Sequence, residues 1–251
     1  MTPRSGHHRR HLRPRGARRS VGGALAILSV AMVLTASACG PLSAREVGEQ
    51  LFSDPRLSLS EANPVSCATC HAVSAEDTRI LAGGSLVGAM SRPSYWGGFI
   101  TSPLDATNVC VTRFMRGGAL SAEEPRSRAL YEYLRSLSPE PAAPAVPFTI
   151  VENVVTVDRA DAALGAEVWQ RACADCHGEP HTGAGRLDEA MVLVPEASEI
   201  FATQLGFPTE LVVIEKIRHG VFFNVGGTMP PYSVEVLSDD DLAALMSYLE
   251  L

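Results

Sequence analysis

Lysine is almost missing from this chain. Of 21 basic residues only Lys216 is a lysine, and seven of the arginines crowd into residues 1–20, where no acid occurs. All 28 acids lie from Glu46 onward, against 14 basic residues, so the body of the chain is about −14 although the whole sequence is −7. An acidic body of this kind argues against a nucleic-acid partner, because binding phosphates needs the opposite sign. It suits a basic protein partner, and equally a solvated acidic surface. Aromatic residues are also scarce, at 6%, which implies that something else helps to fill the cores of two small domains. Histidine is scarcer still: between residues 39 and 138 there is only His71, so that stretch cannot build a two-histidine metal site from its own residues.

What the N-terminus does contain is an address. Arg4 to Arg19 is a basic region, Val21 to Ala38 is apolar, and Thr35-Ala36-Ser37-Ala38-Cys39-Gly40 closes the run with small residues before a cysteine. This is the layout of a secretory signal. Its ending resembles a bacterial lipoprotein signal, which implies lipidation of Cys39 and anchoring to a membrane. Ala36 departs from the aliphatic residue usual in that family, and simple cleavage or an uncleaved signal anchor are the alternatives. Arg18-Arg19 lacks the hydrophobic consensus of twin-arginine export. The expected location is the periplasm or cell envelope.

Of six cysteines, Cys39 belongs to the leader and four form Cys67-Ala68-Thr69-Cys70-His71 and Cys173-Ala174-Asp175-Cys176-His177. C-x-x-C-H is the attachment pattern of a c-type haem. Cysteines at i and i+3 share one face of a helical turn, where two thiols can reach two vinyl groups of one porphyrin, and the adjacent histidine can ligate the iron. A zinc ribbon would place its cysteine pairs about 15–20 residues apart, whereas over 100 residues separate these. No β-rich run precedes either motif, as a thioredoxin-like pair requires. The cofactors expected are therefore two covalently bound haems c, with His71 and His177 as iron ligands.

Each half reads as a haem motif followed by an amphipathic helix: Leu130, Leu134 and Leu137 with Tyr133 in the first, and Leu242, Leu245, Met246 and Leu249 in the second. Ser238 and Asp241 suit the N-terminus of the last helix. Before each motif stands a helix candidate with a glycine and a large aromatic, Gly48 with Phe52 and Gly165 with Trp169. The arrangement resembles class I cytochromes c, which implies that the first and last helices cross at the glycine against Tyr133 and Tyr248. The expected architecture is all-α, with two tandem class I cytochrome c-like haem domains: a signal over 1–38, domains over 39–138 and 161–251, and a Pro-rich linker over 139–160. Four prolines between Ser138 and Pro147 predict a semi-rigid extended spacer. Thr149 to Val157 is β-prone, suggesting a short strand or packed arm.

In the second half, Gly226-Gly227-Thr228-Met229-Pro230-Pro231-Tyr232 resembles the Met-Pro loop of class I cytochromes c, which implies Met229 as sixth ligand and a raised potential. Met246 and Met191 read as core residues. His181 reads as a surface residue and His219 as one that packs or hydrogen-bonds, with Arg218 or His219 a candidate for a propionate.

In the first half, Gly48 to Ser58 running into Ser66-Cys67-Ala68-Thr69-Cys70-His71 resembles the N-terminal domain of di-haem cytochrome c peroxidases and their MauG-like relatives. Arg92-Pro93-Ser94-Tyr95-Trp96 resembles a later motif of that family. The chain is short for the family and offers no clear acid–base residue. The sixth-ligand candidates here are Cys110, Met115 and Met90, a residue from the other domain, or an open site. Asn108-Val109-Cys110, with Arg113 and Arg116 following, resembles thiosulfate dehydrogenases, which implies Cys110 as ligand and the arginines as attractors of an anionic substrate. Two functions follow as expectations. The first is an exported electron carrier serving redox partner proteins. The alternative is an oxidoreductase, thiosulfate dehydrogenase-like or peroxidase-like, reacting at the first haem.

Overall fold

A computed structural model of the chain describes residues 40–138, 142–149, 156–220 and 228–251. The leader with Cys39, residues 150–155 of the β-prone stretch and Gly226-Gly227 lie outside the described residues. The helices are α1 (Ala44–Phe52), α2 (Cys67–Cys70), α3 (Pro103–Arg113), α4 (Pro125–Ser136), α5 (Ala162–Ala172), α6 (Ala174–His177), α7 (Glu196–Leu205), α8 (Thr209–His219) and α9 (Asp239–Tyr248). The described residues form no strand, only isolated bridges at Ala72–Ser85 and Tyr95–Ile100, and the architecture is all-α. Among them no helix is long and apolar enough to cross a membrane.

Local chemistry starts the key helices. Ser43 caps α1 in a capping box with Glu46, and Ser238 caps α9 in another with Asp241. Each box satisfies two amide donors that the first turn leaves without partners. Asp239, Asp240 and Asp241 also place negative charge at the positive end of the α9 dipole. The Asp161 carboxylate caps α5 by accepting from the Ala163 amide, and Pro125 opens α4 at a position that needs no amide hydrogen.

The capped helices pair within each half. At Gly48 a Cβ would lie 2.0 Å from the Ala129 carbonyl oxygen on α4, and at Gly165 one would lie 2.0 Å from that of Ala244 on α9. Both separations are far below contact distance, so the axes approach this closely only because hydrogen stands there. The aromatics pack beside the crossings, Phe52 against Tyr133 with centroids 5.4 Å apart and Trp169 against Tyr248 at 6.4 Å. The first core gathers Phe52, Leu57, Val111, Met115 and Leu130. The second gathers Trp169, Ile214, Leu242, Leu245 and Met246. Met191 is not part of it: that residue is half-buried and Val192 after it is exposed, because residues 188–194 form turns around the His177 side of the second site rather than a core segment.

The stretch expected to act as an extended spacer does something different. Pro41 to Leu251 is one compact unit, and the described part of the linker, 142–149, lies along the first half. The Ala143 amide donates to Ser91 Oγ at 3.2 Å, Phe148 meets Trp96 edge-on at 5.8 Å, and the Thr149 amide donates to Glu235 Oε2 at 3.1 Å. Proline-rich composition sets the extended backbone, but Phe148 against Trp96 and the hydrogen bonds to Ser91 and Glu235 hold it down.

Gly165→Ala forces a methyl group into the Ala244 carbonyl. It should destabilise the second half by about 3 kcal/mol or more, lowering the thermal melting temperature, whereas Gly118→Ala, with open space around it, should leave the melt unchanged.

Candidate functional site

In the first half, α2 presents Cys67 and Cys70 at the wall of a cavity of about 480 Å³, and His71 follows as the helix's C-cap. Cys110, Met115 and Met90 line the same cavity. Burial, helped by the nearby Cys110 and Cys70, pushes the Cys67 thiol up to about 12. Burial pushes Cys110 up to about 11 against the lowering effect of a backbone hydrogen bond. Burial lowers the pKa of His71, keeping its ring neutral as an iron ligand must be.

Two observations test whether this pocket suits a haem. His71 Nδ1 and Arg92 Nε are both buried with no hydrogen-bond partner among the described residues, although buried polar groups are nearly always paired. At Gly83 a Cβ would lie 2.2 Å from His71 Cε1, so this backbone cradles the imidazole and fixes its plane. The apolar walls, two thiols, a cradled imidazole and the Arg92 cation fit the group. Arg92, whose second terminal nitrogen donates to the carbonyls of Ser85 at 2.8 Å and Val87 at 3.0 Å, is the cation that lines the cavity.

The second site is held more tightly. Cys173 ends α5, and α6 carries Cys176 and His177. Trp169, 1% exposed, donates from its indole nitrogen to the Gly178 carbonyl at 3.0 Å. His177 Nδ1 lies 3.0 Å from the Val192 carbonyl, a contact that orients the ring and leaves Nε2 for a metal. Burial lowers the His177 pKa against the opposing effect of that carbonyl. Met229 packs on the same apolar cluster as Cys173 and Trp169. These donors fit a haem with imidazole and thioether ligands.

Several expected residues stand elsewhere. Arg113 and Arg116 do not line the cavity that holds Cys110. Arg113 is exposed in the last turn of α3, where a hydrated cation complements the helix dipole. Arg116 is exposed and donates to the Ala62 carbonyl at 3.3 Å. Asn108 is a staple, exchanging hydrogen bonds with the backbone of Leu120 at 2.7 and 3.1 Å. Arg218 is buried and grips the carbonyls of Tyr232, Leu237 and Ser238 and the Asp239 carboxylate, fastening the segment after Met229 to the start of α9. His219 bonds Glu215 at 2.8 Å and His181 bonds Glu196 at 2.7 Å. The motif reading passed over Gly83, whose signal was the Gly83-Gly84 pair behind the first motif. It also gave no role to Arg92, although that residue heads the Arg-Pro-Ser-Tyr-Trp stretch.

Fold and pockets define a c-type cytochrome. Residues 43–97 match the family model of di-haem cytochrome c peroxidase, and residues 160–249 match that of cytochrome c oxidase, cbb3-type, subunit III. The chain is a di-haem c-type cytochrome with two covalently bound haems c, and it works in haem-based electron transfer or redox chemistry. No curated protein matches it.

Gly83→Ala drives a methyl group into the His71 ring. The first haem should lose its native imidazole ligation while the second keeps its own, visible as one altered and one unchanged set of signals in the low-temperature EPR spectrum.

Proposed function

We propose that this protein is an exported, lipid-anchored electron carrier of the cell envelope, passing electrons between redox partner proteins, at least one of them basic. When bound, each haem supplies a one-electron iron couple. The chain contributes the rest: Cys67, Cys70 and His71 hold the first group, and Cys173, Cys176, His177 and Met229 hold the second. The observation carrying this reading is the second site, where His177 lies against the Val192 carbonyl and Met229 and Cys173 pack on the same apolar core. A coordinatively filled iron with thioether ligation favours electron transfer over chemistry on a substrate. The acidic body supports a basic partner. The basic leader, apolar run and small residues before Cys39 support export and lipidation.

A second reading, an oxidoreductase reacting at the first haem, is favoured by one specific feature. The first cavity is large and offers three sulfur side chains, Cys110, Met115 and Met90, as alternative sixth ligands.

EPR of the fully oxidised protein, with haems counted by pyridine haemochrome, tests both readings. Two low-spin haems are expected, and Met229→Ala should lower one midpoint potential by on the order of 0.1 V, within the ~0.8 V span that axial ligands command. A high-spin first haem, or a thiolate signal that vanishes in Cys110→Ala, would select the oxidoreductase. Cys39→Ser should move haem-staining protein from the membrane to the soluble fraction; retention in the membrane would remove the lipid anchor.

A further inference from the structure

The loop that follows His71 does not stay in its own half. The Ile80 amide donates to the Arg171 carbonyl at 2.8 Å, and Arg171 Nε returns a bond to the Thr78 carbonyl at 2.7 Å. The Ile80 side chain, 8% exposed, is buried in the second core with Val168, Trp169 and Ile214. Between them Arg79 reaches the Asp175 carboxylate at 3.5 Å while its bonds to Asp77 set its direction. Arg171 stands two residues before Cys173, and Asp175 lies inside the second attachment motif. Three residues beyond Ile80 the same loop reaches Gly83, the cradle of the His71 ring. One short segment is thus fixed at one end to the first imidazole and at the other to the helix that ends at Cys173.

The contact is answered from the other side. Pro230, Pro231 and Ser233, just after Met229, line the first cavity, while the hydroxyl of Tyr232 turns back to the Ala172 carbonyl at 2.8 Å. Packing of this kind sets both spacing and orientation, since buried apolar side chains and paired amides tolerate little sliding.

We propose that Thr78-Arg79-Ile80 is a positioning latch: by anchoring the His71 loop in the second core, it fixes the spacing and mutual orientation of the two attachment motifs, and so the coupling between the haems they hold. Ile80 supplies the anchor, Arg171 the backbone register, and Arg79 with Asp175 the direction. The exposed ion pair adds little stability by itself; its part is orientation.

This inference rests on both motifs carrying haem, so the test first counts haems in the whole protein. Two per chain are expected, and fewer in the wild type would defeat that underlying reading rather than the latch. Circular dichroism in the Soret region then reports haem–haem geometry, because two nearby chromophores at a fixed angle give a paired positive and negative band. The wild type should show the pair. Ile80→Asp should weaken it at least twofold with both haems retained, and Ile80→Ala, which keeps the backbone bonds, serves where the aspartate variant fails to accumulate. Arg79→Asp should weaken it less, and Arg79→Asp combined with Asp175→Arg should restore it, which a general loss of packing would not do. No paired band in the wild type, or an unchanged one in the Ile80 variants, overturns the latch.

Discussion

The close approach of helix backbones at Gly48 and Gly165 is the constraint on which the rest depends. With a 2.0 Å gap where a Cβ would stand, the first and last helices of each half lock at one point along their length. That point sets where Phe52 and Trp169 fall against their tyrosines. In the second half the consequence is direct: α5 runs from the crossing straight into Cys173, and its Trp169 holds the Gly178 carbonyl just past His177. The attachment motif is therefore positioned by a helix whose own place is fixed by steric exclusion. In the first half the link is longer, from α1 through the turn at Pro55–Ser58 to Cys67. Asn63 helps to hold it, bonding the carbonyls of Pro55 at 2.8 Å and Val65 at 2.7 Å.

That difference in tether length goes with a difference in the sites. His177 has a carbonyl partner for Nδ1, whereas His71 Nδ1 is buried without one among the described residues. The first imidazole is instead enclosed by the Gly83-Gly84 backbone, whose close approach fixes the ring by shape and whose peptide groups act on it electrostatically. The two motifs share Cys-Ala-x-Cys-His and differ at Thr69 and Asp175, and the halves surround their imidazoles differently.

The chemistry of attachment was legible from the sequence, because C-x-x-C-H is a local pattern read on one helical turn. So were the helix pairs: Leu242, Leu245, Met246 and Leu249 are all buried, as their spacing required, and Ser238 caps where its side chain allows. What could not be read were contacts that join distant residues without leaving a period. Ile80 sits in a loop with no hydrophobic pattern, and only the fold shows its burial in the other half. The linker's apolar side chains read as spacer because proline dominates the composition. Arg113 and Arg116 misled for a related reason: proximity to Cys110 along the chain is not proximity to the cavity, and both gain more from water and a helix end than from a buried site.

The balance between carrier and reaction centre turns on how the chain treats Cys110. A reactive cysteine sits among cations or at a helix N-terminus that holds its thiolate. Here burial pushes the thiol up to about 11, against the smaller lowering effect of a backbone hydrogen bond. Arg92, the cation that lines the cavity, is tied to Ser85 and Val87 on the His71 loop and has no share in setting the Cys110 thiol. Met115 needs no deprotonation and lies in the same wall, packed in the first core. A buried thiol held neutral beside a thioether in the same wall supports the proposed carrier reading over one that needs an activated sulfur nucleophile.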